Sequence, residues 1–213
     1  MSKNIDSEGL RSIVSNYDIF YIDLWGVIHD GINLHKSAIQ ALEEISKAKK
    51  NYVLLTNAPR PNSTVKKFLE KMGMNEKIRD KVYSSGEAAL SYLNKNYLNK
   101  KFYHVGPFRD FDLFVEFENN KVKIINESSY LLCTGLFEDH SEDLNYYKEL
   151  FKYHLDKKMI CTNPDLIVDR GNKRELCAGS VALVFEKMGG EVIYFGKPFP
   201  EVYNRSIDNK NKK

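Results

Sequence analysis

Short apolar runs that each stop on polar residues constrain this chain more than any other feature. Phe20-Tyr21-Ile22 stops at Asp23, and Tyr52-Val53-Leu54-Leu55 stops at Thr56-Asn57. Lys158-Met159-Ile160-Cys161 stops at Thr162-Asn163-Pro164-Asp165, and Val192-Ile193-Tyr194-Phe195 at Gly196-Lys197-Pro198. Runs of roughly four to eight β-formers bounded by turn signals read as strands buried on both faces. Further candidates are Lys81 to Ser84, Phe102 to Val105, Lys121 to Ile125 and Tyr130 to Cys133. Helical spacing fills the gaps between runs. Ser37-Ala38-Ile39-Gln40 has the form of a capping box and opens a helix to about Lys49. Ser63 opens another, stopped by Gly73, and Glu87–Leu98, Ser141–Leu155 and Glu175–Met188 read likewise. A short helix over 6–16 with Ser7 as cap precedes them all. Strand alternating with helix implies an α/β fold with a parallel sheet and right-handed crossovers.

In such a sheet the ligand crevice lies outside the carboxyl ends of the strands. Taken alone, Asp23 is no more than a turn residue. Together with Thr56-Asn57 and Lys197 it makes a carboxylate, a hydroxyl with backbone N–H groups, and an ammonium, all at strand ends. That set suits a phosphate. Aspartate can attack phosphorus and form an aspartyl-phosphate. Hydroxyl, amide and ammonium groups can hold the equatorial oxygens. Asp30-Gly31 between apolar neighbours predicts a tight turn, so a small flap should leave the strand after Asp23. His29 reads as a solvated residue of that flap, with a catalytic role as the alternative. The prolines of Ala58-Pro59-Arg60-Pro61 fix a loop, in which Arg60 reads as a solvated charge or a substrate contact. Phe108, Phe111, Phe114 and Phe117 read as internal packing, and Asp169-Arg170-Gly171 as a turn, with Arg170 free to face a substrate entrance.

Composition narrows the class. At 213 residues with 42% apolar content the chain is one large domain, or one core with an insertion. Basic and acidic residues nearly balance, 32 against 29, which argues against nucleic acid as a partner. No apolar run reaches the ~20 residues that span a membrane, and the polar N-terminus lacks a secretory core. Cys133, Cys161 and Cys177 are odd in number and widely spaced, so they read as reduced core residues. Together these point to the cytoplasm.

The motifs, in this order, resemble the haloacid dehalogenase (HAD) superfamily, specifically subclass IIA, the NagD-like phosphatases. The resemblance rests on Asp23-Leu24-Trp25-Gly26-Val27 with Asp30-Gly31, on Leu55-Thr56-Asn57, and on Gly196-Lys197-Pro198 before Glu201-Val202-Tyr203. Thr162-Asn163-Pro164-Asp165 and Ser84-Ser85-Gly86 also fit that subclass. It implies a Rossmann-like core over 1–85 and 171–213, with a C2-type α/β cap inserted at 86–170. It makes Asp23 the nucleophile and Lys197 its catalytic partner, with Thr56, Asn57, Asn163 and Asp165 on phosphate or substrate. It implies Mg²⁺ on Asp23 and the Trp25 backbone carbonyl. The expected activity is Mg²⁺-dependent hydrolysis of small phosphorylated metabolites, with no nucleic-acid or membrane partner and a homo-oligomer as an option.

Two departures qualify this. Trp25 stands where these phosphatases carry a second aspartate, the general acid, and indole has no exchangeable acid near neutral pH. The fourth motif, a strand ending in Gly-Asp that completes the metal site, does not follow Lys197. The expectation is therefore a core shortened at its C-terminus, a tail frayed from about residue 206, weakly held Mg²⁺, and impaired activity. A non-catalytic phosphate-binding protein or truncated remnant is the alternative.

Overall fold

The computed structural model describes residues 9–170 and 173–211. Ser7, the expected first cap, lies outside them. The chain forms two compact units. The first comprises residues up to Thr56 and Lys66–Tyr83, and the second Asn57–Val65 and everything from Ser84.

The first unit begins with two 3₁₀ turns, Leu10–Ser12 and Val14–Asn16, rather than the single helix expected there. Strand β1 (Ile19–Ile22) pairs in parallel with β2 (Asn51–Thr56), in register Ile22↔Leu54. With β3 (Val82–Ser84) they form a sheet ordered β1-β2-β3. Helix α1 (Lys36–Lys47) makes the crossover and buries Leu42 and Ile45. Its N-cap is His35, without a side-chain cap bond, so the expected box at Ser37 does not form. Helices α2 (Asn62–Lys71) and α3 (Glu76–Arg79) lead on to β3. β2 is buried from Tyr52 to Thr56, as its apolar run requires. β1 is only half-buried throughout, which corrects the expectation of a strand covered on both faces. The cause is topological: β1 has one neighbouring strand and lies at the sheet edge.

The second unit is built on a five-stranded parallel sheet, ordered β10-β7-β6-β4-β5. Its strands are β4 (Phe102–Val105), β5 (Lys121–Val122), β6 (Tyr130–Cys133), β7 (Lys158–Cys161) and β10 (Glu191–Tyr194). The run Tyr130-Leu131-Leu132-Cys133 is wholly buried at the sheet centre. Helices α5 (Leu144–Phe151) and α6 (Ala178–Lys187) bring Tyr147, Phe151, Val181, Ala182 and Phe185 onto one core cluster with Leu131, Cys133, Met159 and Cys161. Helix α4 (Ser85–Asn96) packs with α7 (Pro200–Asn211). The tail is therefore helical past residue 206, anchored by buried Val202 and by Arg205 over the rings of Tyr92 and Phe195. A hairpin the sequence did not disclose, β8 (Ile167–Arg170) with β9 (Lys173–Leu176), sits between β7 and α6. All three cysteines are free.

The compact units do not follow a boundary at residue 170. α6 and β10 share one core and one sheet with β4, β6 and β7, although the expected division set 171–213 apart from 86–170. The strand order explains this: β10 pairs with β7 along its whole length. Among the described residues no helix is long and apolar enough to cross a membrane.

Candidate functional site

In the first unit, Asp23 follows β1 directly and Thr56 ends β2. Because the strands are parallel with Ile22 opposite Leu54, both leave the sheet at its carboxyl edge, one residue out of register. Asp23 is half-buried, and its Oδ1 accepts the Leu24 N–H at 2.8 Å. Thr56 is buried.

The flap after Asp23 forms, closed by single bridges Trp25↔His29 and His29↔Leu34 rather than by strands. Gly31 takes φ 96°, as the Asp-Gly turn demands, and the Trp25 ring covers it so closely that a Cβ would lie 2.8 Å from the indole. His29 is not solvated, contrary to expectation. It is buried, edge-on to the rings of Trp25 and Phe68, and its Nδ1 accepts the Gly31 N–H at 3.0 Å. Burial lowers its pKa, against the opposing charge of Asp30. The Asp30 carboxylate accepts the N–H groups of Asn33 and Ile32, which lower its pKa. Both shifts disfavour a protonated side chain at neutral pH, so neither group is set up as a proton donor there.

In the second unit, Asn57 is the organiser. Its Oδ1 accepts the Lys197 backbone N–H at 2.6 Å, and its Nδ2 donates to the Lys197 carbonyl at 3.0 Å and to Asp165 Oδ1 at 2.8 Å. The buried amide thus holds the strand-end loops of β7 and β10 together, and those bonds account for its side chain more directly than a phosphate contact. Asn163 Oδ1 accepts the Asp165 N–H at 2.9 Å and shapes its own turn. Gly196 is required at this crossing, since a Cβ would lie 2.5 Å from Pro164 Cδ and 2.7 Å from Asn57 Oδ1.

The loop 58–62 is buttressed by the Ser84-Ser85-Gly86 turn. Ser84 Oγ donates to the Arg60 carbonyl, and both Ser85 Oγ and the Gly86 N–H donate to the Ala58 carbonyl. Asn62 Oδ1 accepts the Ser84 N–H, while Glu87 accepts that of Asn62. Arg60 pairs with buried Asp110 at 3.3 Å and lies 3.9 Å from Asp112. Sequence reasoning missed Asp110. Burial raises its pKa against the Arg60 charge, and it belongs to a polar chain in which Thr134 meets His104 Nε2 at 2.8 Å. Only the Pro-flanked Arg60 hinted at this. The side chain of Arg170 and the residue after it lie outside what is described.

The donor set does not fit a tightly held metal. Among the described residues no group of three or more His, Cys, Asp or Glu side chains is placed to hold an ion. The ligands that the resemblance implies, the Asp23 carboxylate and the Trp25 backbone carbonyl, would offer a divalent cation few protein donors.

A parallel α/β fold with an aspartate at the end of its first strand is the architecture of haloacid dehalogenase-like hydrolases. Residues 20–117 match that family by sequence. A haloacid dehalogenase-like hydrolase from Brucella suis superposes with TM-score 0.82 at 28% identity, covering 95% of this chain and 74% of that one. The p-nitrophenyl phosphatase of Archaeoglobus fulgidus shares the fold at TM-score 0.69 and 18% identity, over 91% and 74% of the two chains. So does a glycerol phosphate phosphatase from Mycobacterium tuberculosis in complex with magnesium, at TM-score 0.66 and 19% identity, over 93% of this chain and 60% of that one. No curated protein matches the chain.

Proposed function

We propose that this chain is a phosphohydrolase of small phosphorylated metabolites that works through an aspartyl-phosphate on Asp23. The observation that carries the reading is the pair Asp23 and Thr56 at the carboxyl ends of adjacent parallel strands. An Asp23 carboxylate oxygen attacks phosphorus, the bond to the leaving oxygen breaks, and the alcohol departs as its anion. Water then attacks the phosphoryl group, releasing inorganic phosphate and restoring the carboxylate. Thr56 holds an equatorial oxygen, and the Lys197 ammonium offsets charge on the phosphoryl group. Asn57 serves by fixing the Lys197 loop, with Asp165 as its second partner. A Mg²⁺ ion shared by Asp23, the Trp25 carbonyl and water would neutralise phosphate charge and would bind weakly.

With Trp25 in the acid's place, general-acid help worth ~10²–10⁴-fold is absent. Acidic leaving groups should therefore be strongly preferred. The test is release of p-nitrophenol from p-nitrophenyl phosphate, with and without Mg²⁺, by the wild type and by Asp23→Asn. Mg²⁺-stimulated turnover that disappears in Asp23→Asn supports the reading. A second reading, a phosphate-binding protein without turnover, is favoured by Trp25 and the thin donor set. It is the correct one if both proteins release p-nitrophenol at background rate while the wild type still binds inorganic phosphate.

A further inference from the structure

The second unit carries an open surface pocket of about 350 Å³ that the proposed chemistry does not use. Its position follows from topology. From β4 the chain moves outward to β5, then returns to the other side of β4 for β6, β7 and β10. The winding direction therefore reverses between β4 and β6, and ligands of open α/β sheets bind in the crevice outside the carboxyl ends at such a point. The pocket lies there, between Gly106-Pro107-Phe108 after β4 and Phe137 to His140 after β6.

Its lining is chemically specific. Tyr103, Phe108, Phe137 and Tyr146 contribute aromatic rings, and Glu138 and Asp139 contribute carboxylates. The rings are mutually braced: Phe137 meets Tyr103 at 6.5 Å and Tyr146 at 6.1 Å, both edge-on. Phe108, expected as internal packing, instead stacks on Phe111 at 5.8 Å and is 75% exposed, so its outer face is open to a ligand. No lysine or arginine lines the pocket, in a chain whose net charge is +3; His140 also lines it and stacks on one face of Tyr146 at 3.6 Å. Aromatic faces with nearby carboxylates attract a weakly hydrated cation and repel phosphate.

We propose that this pocket is a binding site for a small organic cation of the quaternary ammonium type, separate from the phosphate chemistry. The rings take the alkylated ammonium by cation–π attraction, while Glu138 and Asp139 supply the counter-charge. The volume falls within the range usual for small-molecule sites, roughly 300–1,000 Å³.

Calorimetric titration of the full chain at low salt tests this with two probes of nearly equal shape, choline and the neutral 3,3-dimethylbutan-1-ol. Choline should bind at least about tenfold more tightly than the alcohol. The double variant Glu138→Gln/Asp139→Asn and, separately, Phe108→Ala should each weaken choline binding by about tenfold. All three substituted side chains are exposed, so the variants should fold. The idea is overturned if choline gives no signal at ~20 mM, far above the affinities usual for such sites. It is equally overturned if the alcohol binds as well as choline, or if the variants bind choline undiminished. Because no turnover is measured, the result is independent of whether Asp23 is catalytic.

Discussion

Asn57 makes three hydrogen bonds with one buried amide, to partners 108 and 140 residues away in sequence. That distance is why its structural duty was not legible. A strand-end Asn beside a Thr reads as a phosphate ligand until the loops that reach back to it are seen. The strand-end positions of Asp23 and Thr56 were legible because each closes an apolar run. Asn57→Ala should leave the Lys197 N–H and the Asp165 carboxylate without this partner. The expected loss is about 1–3 kcal/mol in urea unfolding, with a fall in any turnover. A variant as stable as wild type would remove Asn57 from its organising role. His104 gives a second prediction at this scale. Burial drives its pKa down to about 3, against 6.5 in the unfolded chain. Such a base adds stability that is complete above pH 6.5 and is lost as pH falls towards the folded value. Between pH 6.5 and 5 the loss should be about 2 kcal/mol. His104→Gln should remove most of that slope, as read from urea unfolding at the two pH values; an unchanged slope refutes it.

At the scale of elements, the runs that are buried proved easiest to read. β2, β6 and β7 lie within a residue or two of their apolar runs because no other structure covers so much contiguous apolar surface. Elements held by tertiary contacts were misread. The sequence after Tyr203 is polar, but α7 continues because Val202 and Ser206 are buried and Arg205 covers two rings. The β8–β9 hairpin carries charge where strands usually carry β-formers, and the Asp169–Arg174 pair at 2.7 Å ties its strands together. His29 looked solvated because contacts such as its packing against the rings of Trp25 and Phe68 arise only in the fold. The Ser84–Gly86 turn yields a prediction here. A Cβ on Gly86 would stand 2.3 Å from the Arg60 backbone nitrogen, and backbone gives way less easily than a side-chain tip. Gly86→Ala should cost about 1–3 kcal/mol and disturb the loop that follows Asn57. Thermal unfolding measures the first effect, and altered protection of the amides of 58–62 the second. An unperturbed variant would show that the turn does not support that loop.

For the whole molecule, the two sheets should differ sharply in protection. In the second unit β6 has strands on both sides and no exposed residue, so its amides open only when most of that unit opens. In the first unit β1 pairs on one side alone and is half-buried from end to end. Its inward amides are held by β2, while nothing in the three-stranded sheet holds its outer ones. Edge strands of this kind exchange through small local fluctuations and template pairing with other chains. Hydrogen exchange followed by mass spectrometry should therefore show peptides over 17–23 exchanging at least ~100-fold faster than those over 130–134. Should the two regions exchange at one rate, something covers the β1 edge in solution. A dilution series then separates the causes: protection that fades on dilution means a second copy of the chain pairs with β1, and protection that persists means a cover within the same chain.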